Sequence, residues 1–174
     1  MNVAETTKAA DLESNRPHAP AWAWAIGTFF GSGLLKPGPG TWASLATTLL
    51  WFALGSALPP TARLPVNLML LAVTVVVGIP AATRVARALG KKDPGIVVID
   101  ETAGQLLTFL GVPLHWPSML VGLILFRAFD ITKPFPIRRL EKLPEGTGIV
   151  VDDLGAGLYA LVVMHFLLHF GILK

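Results

Sequence analysis

The chain alternates apolar runs with short polar connections. Residues 21–30 form the first run, too short to cross a hydrocarbon layer of roughly 30 Å, and Trp22 and Trp24 suit it to the membrane interface. Residues 42–58 and 66–83 are each long enough to span. Pro59 and Pro60 stop the first of these, and Arg84, Arg87, Lys91 and Lys92 follow the second. Residues 104–126 are apolar but interrupted by Pro113, His115 and Pro117, and residues 154–173 make the last run. Leu, Ala, Val and Gly dominate, with no strand-like alternation and no internal repeat. The pattern predicts an all-α, multi-helical integral membrane domain with about three spanning helices.

Basic residues orient these runs. Arg84, Arg87, Lys91 and Lys92 share one connection, and Arg127, Lys133, Arg138, Arg139 and Lys142 the next, whereas residues 58–65 carry only Arg63. The positive-inside rule places both rich connections in the cytoplasm. Residues 104–126 lie between them and cannot then cross once. Two half-helices forming a re-entrant hairpin, with its turn between Pro113 and Pro117, resolve the conflict; a single crossing with one basic loop outside is the alternative.

Composition agrees with a lipid environment. Hydrophobic residues make up 53% and charged residues 14%, against about a quarter charged in soluble domains, and mean hydropathy is +0.62. The 174 residues suit one domain, 21–174, preceded by a polar segment, 1–20, expected to be a disordered cytoplasmic tail without the features of a secretory signal. The absence of cysteine excludes disulfides, thiolate metal sites and cysteine nucleophiles. A net charge of +3 is too mild for a nucleic-acid partner and fits anionic membrane lipids.

Beyond the tail, acids gather where apolar runs end: Asp100 and Glu101 before residue 104, Asp130 after Phe126, and Asp152 and Asp153 before Leu154. The hairpin topology brings all five to the cytoplasmic face. Carboxylates so gathered repel one another and need a counter-charge, which a hard cation such as Mg²⁺ supplies through oxygen ligands. Helix capping is the competing explanation. It accounts for Asp153 about as well, but poorly for Asp130, which follows its run and faces an unfavourable dipole.

Lys36 lies in a Gly/Pro-rich loop, residues 31–41, before a spanning run, where backbone N–H groups and the helix N-terminus could hold a phosphate. The loop lacks the closing Gly-Lys-Ser/Thr of a P-loop, and a plain turn explains it equally well. Arg127 and Lys133 flank Asp130, either as exposed ion pairs or as phosphate contacts. His165 and His169 share a helix face with no acid nearby in the run, which points to packing or interhelical hydrogen bonds.

The strings GSGLLKPGPGTWAS, DPGIVVIDETAG, FRAFDITKPFPI and GTGIVVDDLGAG, in order between residues 31 and 157, resemble the phosphatidylglycerophosphatase A family. The resemblance implies a Mg²⁺-dependent phosphatase of the bacterial inner membrane that converts phosphatidylglycerophosphate to phosphatidylglycerol and phosphate. It implies site roles for Asp100, Glu101, Asp130, Asp152, Asp153, Lys36, Arg127 and Lys133, adds Thr41, Ser32 and Asp93, and gives Gly38, Gly40, Gly146 and Gly148 a role in close backbone approach.

On this reading Asp100 or Glu101, Asp130, and Asp152 or Asp153 hold one or two Mg²⁺ ions, while Lys36, Arg127 and Lys133 position the phosphate. A remaining carboxylate serves as general base, or an aspartate becomes phosphorylated; the sequence leaves both open. Other phosphotransfer signatures are missing. No D-x2-D-G-x2-A-R run occurs, Asp130-Ile-Thr breaks the D-x-D pattern, and no Ser-Gly-His run is present. Acids at segment ends, away from the bilayer midplane, disfavour a transporter.

Overall fold

The computed structural model describes residues 18–173, so most of the expected tail, residues 1–17, lies outside the described residues. Among the described residues there are seven α-helices and no strand: α1 (Ala21–Gly27), α2 (Pro39–Ala57), α3 (Pro60–Leu89), α4 (Ile99–Thr108), α5 (Trp116–Thr132), α6 (Ile137–Leu140) and α7 (Glu145–His169). A 3₁₀ turn (Ser32–Leu34) precedes α2.

Prolines set several starts, because a first-turn residue needs no N–H partner. Pro39 opens α2 and Pro60 opens α3, so the connection expected over residues 58–65 shrinks to Leu58 and Pro59. Gly90, in the left-handed conformation, ends α3 with its N–H directed at Ala86 and Arg87 carbonyls. The last run also starts earlier than its apolar pattern indicates. α7 begins at Glu145 because its polar first turns pack on α3, where Gly146 N–H donates to Thr83 Oγ1 at 3.1 Å.

Residues 104–126 are indeed broken. α4 and α5 run antiparallel, with Glu101 facing Arg127, Gly104 against Phe126, and Gly122 against Phe109. The break covers residues 109–115, starting a little before the expected turn. At 1.5 Å per residue, the ten residues of α4 reach about 15 Å, half a hydrocarbon layer.

α7 is the central element and contacts α3, α4, α5 and α6. Its Gly157 lies directly on the backbone of Gly104, an approach no larger residue permits. Ala81, Ala82, Val85, Ile99 and Ile149 form a core at one end; Phe109 and Met164 form another at the opposite end, where Trp51 stacks on Phe109 with ring centroids 4.1 Å apart. Apolar side chains also face outward. Val76 is 72% exposed and Leu68, Met69 and Val73 lie on the same helix, unlike the core helix of a water-soluble protein.

Two of the expected spans, α3 with 30 residues and α7 with 25, are long and apolar enough to cross a membrane. The third, α2, has 19 residues, buries Ser44, Thr47 and Thr48, and does not reach the same hydropathy over a spanning length.

Candidate active site

Three chain segments converge at one end of the bundle. The first turn of α4 supplies Asp100 and Glu101, the interior of α7 supplies Asp153, and the last turn of α5 supplies Asp130. One carboxylate oxygen from each of Asp100, Glu101 and Asp153 lies within 4.8 Å of the others. Asp153 sits eight residues after Glu145, inside a continuous helix, so the capping explanation offered for it is incorrect. No side chain caps the N-terminus of α4 either.

Asp100 and Asp153 are buried, and the Glu101 side chain is only 14% exposed. Asp100 Oδ1, Glu101 Oε2 and Asp153 Oδ2 have no hydrogen-bond partner. Buried carboxylates are tolerated when paired or bound to metal. The nearest cation is Arg127, whose Nη1 is 3.7 Å from Glu101 Oε1 and 2.6 Å from Asp130 Oδ2. One guanidinium cannot neutralise this group. Three converging oxygen donors with unused lone pairs fit a hard divalent cation. Arg127 Nε is itself buried without a partner, so the centre also holds a donor that lacks an acceptor.

Asp152 and Lys133 stand apart from this cluster. Lys133 ends α5 in the left-handed conformation, and its Nζ is 2.6 Å from Asp152 Oδ2 and 2.8 Å from Glu141 Oε1. Burial alone would lower the lysine pKa, but hydrogen bonds to Asp152 and Glu141 outweigh it and hold the ammonium above its usual range. Lys133 in turn draws the Glu141 carboxyl below its ordinary pKa. A cavity of about 140 Å³ opens here, lined by Lys92, Asp93, Glu141 and Asp152.

The Gly/Pro loop reaches the acids through its backbone. Gly40, in the first turn of α2, touches Glu101; a Cβ there would overlap Glu101 Oε1 and stand 3.1 Å from Arg127 Nη1. The N-cap Gly38 has φ 71°, which glycine adopts without strain, and Thr41 packs over it. Lys36 and Thr41 are exposed, and Lys36 makes no ion pair among the described residues. The Ser32 hydroxyl donates to Thr28 O at 3.2 Å, a local role in the turn.

Two neighbours of the site escaped the sequence reading. Gln105 is fully buried with both amide atoms unpartnered, one turn beyond Glu101 on α4, where helical spacing from Glu101 would have found it. Glu141, the second partner of Lys133, had no such signal, because α6 and its flanking turns place it. His165 bonds to Leu110 O across 2.9 Å and so joins α7 to the break between α4 and α5, where an interhelical bond or packing was expected.

Fold and site together define an all-helical protein with outward-facing apolar helices and a buried carboxylate centre beside one arginine. The family model described as phosphatidylglycerophosphatase A matches residues 25–168. A phosphatidylglycerophosphatase A of Haemophilus influenzae is 40% identical over 83% of this chain and 86% of its own length. A Bacteroides thetaiotaomicron protein named "Putative phosphatidylinositol-3-phosphatase" is 37% identical over 80% and 89%, and the phosphatidylglycerophosphatase A of Escherichia coli is 33% identical over 80% of each chain. No solved structure matches the chain. The chain belongs to the phosphatidylglycerophosphatase A family and is a phosphatase.

Proposed function

We propose that the chain hydrolyses phosphatidylglycerophosphate to phosphatidylglycerol and phosphate, with Mg²⁺, at the cytoplasmic face of a bacterial inner membrane. The observation that carries this is the pairing of opposite unmet demands: three buried carboxylates with free oxygens beside a buried arginine with a free Nε. A divalent cation answers the first and a phosphate the second.

Asp100, Glu101 and Asp153 would hold the metal, with Asp130 beside them. Bound there, Mg²⁺ supplies charge neutralisation for the phosphoryl oxygens and acidifies a water. Asp130 fixes Arg127 through its 2.6 Å contact, so that the guanidinium presents Nε to the phosphate. Lys36, exposed on the loop that leads to Gly40, would give a second positive charge. Thr41 and Ser32 belong to the same loop and shape its approach. Lys133 holds Asp152 in place at the edge of the site, and Asp152 serves the centre through that pair. In the reaction a water oxygen bonds to phosphorus, the ester P–O bond breaks, and the glycerol oxygen leaves with a proton.

The membrane arrangement belongs to the same proposal. α2, α3 and α7 cross the bilayer and the α4–α5 hairpin enters it and returns, leaving the acids at the headgroup level while acyl chains stay in lipid. The test is phosphate release from phosphatidylglycerophosphate in detergent. Mg²⁺ is expected to support turnover and EDTA to abolish it; no release with any divalent metal overturns the assignment. The Bacteroides relative favours a second substrate, phosphatidylinositol-3-phosphate, and faster release from that lipid in the same assay would select it.

A further inference from the structure

A cavity of about 260 Å³ lies at the end of the bundle remote from the acids. α2 starts beside Glu101 and ends at this cavity, α4 does the same, and α3 begins here. Phe109, the residue that caps the C-terminus of α4, is nine residues beyond Asp100, which places the near wall of the cavity on the order of 13 Å from the acid centre along the helix. Its walls are apolar, including Trp51, Leu70, Phe109 and Leu114. Two polar side chains interrupt them, Arg63 and Asn67, four residues apart on one face of α3.

Arg63 is partly exposed near the start of α3. Its Nε donates to Leu58 O at 3.4 Å, and it makes no ion pair among the described residues. Asn67 is 5% exposed. Its Nδ2 donates to Leu106 O at 3.2 Å, satisfying a carbonyl in the last turn of α4, while Oδ1 has no partner. That second atom is not needed for the helix end. A dry, unbonded acceptor is costly and calls for a donor.

The cavity wall therefore carries a positive charge and, one helical turn along α3, an amide with an unpartnered acceptor, among apolar side chains. We infer that it binds a monoacyl glycerophospholipid. The phosphate pairs with Arg63, the free hydroxyl at the second glycerol carbon donates to Asn67 Oδ1, and the single acyl chain lies along Trp51, Phe109 and Leu114. A diacyl lipid carries an ester at that carbon and has no donor to offer. The cavity volume, just under the roughly 300–1,000 Å³ of typical ligand sites, suits one chain better than two. This site takes no part in the hydrolysis proposed at the acid centre.

The test uses the full chain purified in detergent and saturable binding of radiolabelled 1-palmitoyl-lysophosphatidylglycerol. Its second-carbon methyl ether and dipalmitoyl-phosphatidylglycerol serve as comparisons, with EDTA present throughout. One equivalent of the lysolipid is expected to bind, with the methyl ether and the diacyl lipid about tenfold weaker, the loss of one hydrogen bond to a buried acceptor. Arg63→Gln is expected to weaken lysolipid binding by a similar factor, and Asn67→Leu to erase the difference between alcohol and ether. Phosphate release, measured separately with Mg²⁺, stays at the wild-type level in Arg63→Gln. Equal binding of alcohol and ether by the wild type overturns the inference, as does equal binding of the diacyl lipid, full binding by Arg63→Gln, or no saturable binding. The wild-type and Arg63→Gln comparisons decide the matter even if Asn67→Leu fails to fold.

Discussion

Replacing Gly40 with alanine tests the acid centre without altering any group that carries chemistry. The new methyl would occupy space held by Glu101 Oε1 and come within 3.1 Å of Arg127 Nη1. Gly40 is buried in the first turn of α2, so its backbone is held while the carboxylate is the end of a flexible side chain. Glu101 must recede by more than about 1 Å, a displacement that costs on the order of 10²-fold when it misplaces a catalytic group. That corresponds to about 2.7 kcal/mol of barrier. Since Glu101 would share the metal, the Mg²⁺ concentration for half-maximal activity should rise as well. The assay is phosphate release across a Mg²⁺ titration, with thermal unfolding in detergent as the control for folding. Turnover within a factor of two of wild type, at unchanged Mg²⁺ requirement and with the fold intact, would refute the placement of Glu101 in the centre.

Further outcomes follow from other contacts. Mg²⁺ at 100 times its Kd should raise stability by about 2.7 kcal/mol, seen as an increase in Tm, and Asp153→Asn should remove that increase even without substrate. Lys133→Met leaves Asp152, whose side chain is 5% exposed, without its cation, and should cost on the order of 3 kcal/mol; adding Asp152→Leu should restore most of the lost Tm. Because Lys133 depresses the Glu141 pKa, that pair stabilises the fold above the usual glutamate range and the benefit fades as pH falls through the depressed value. Glu141→Gln should therefore flatten the acid-side fall in Tm. The chain has no cysteine, so Trp116→Cys, at an exposed position, gives a unique label. Protection of this label from reagent on the periplasmic side of cells supports the hairpin, and periplasmic modification supports a full crossing.

The apolar runs made the helices legible from sequence because a span must be both long and free of charge. They were less informative about ends. α7 starts nine residues before its apolar run, since Gly146 and Gly148 pack on neighbouring backbone and no hydropathy pattern records that. Pro113 and Pro117 announced a break in the middle of a spanning-length run, and the break lies close to where they put it. The positive-inside conflict called for a hairpin at that break, and the antiparallel α4–α5 pair is the helix geometry such a hairpin requires.

At the site, the sequence by itself determined which residue types are present and that five acids lie near segment ends. The four motif strings further determined the family, because their order and combination are specific although each is short. Only the tertiary structure decided which acids meet. Asp152 and Asp153 are neighbours in sequence but differ by about 100° around α7, so Asp153 joins Asp100 and Glu101 while Asp152 turns to Lys133 and Glu141. Arg127 and Lys133, both close to Asp130 in sequence, are divided in the same way: one belongs to the acid centre and the other to the pair at its edge. The acids at the segment ends thus became two distinct groups, for helix rotation and the close contact of Gly104 with Gly157 determine which faces look at one another.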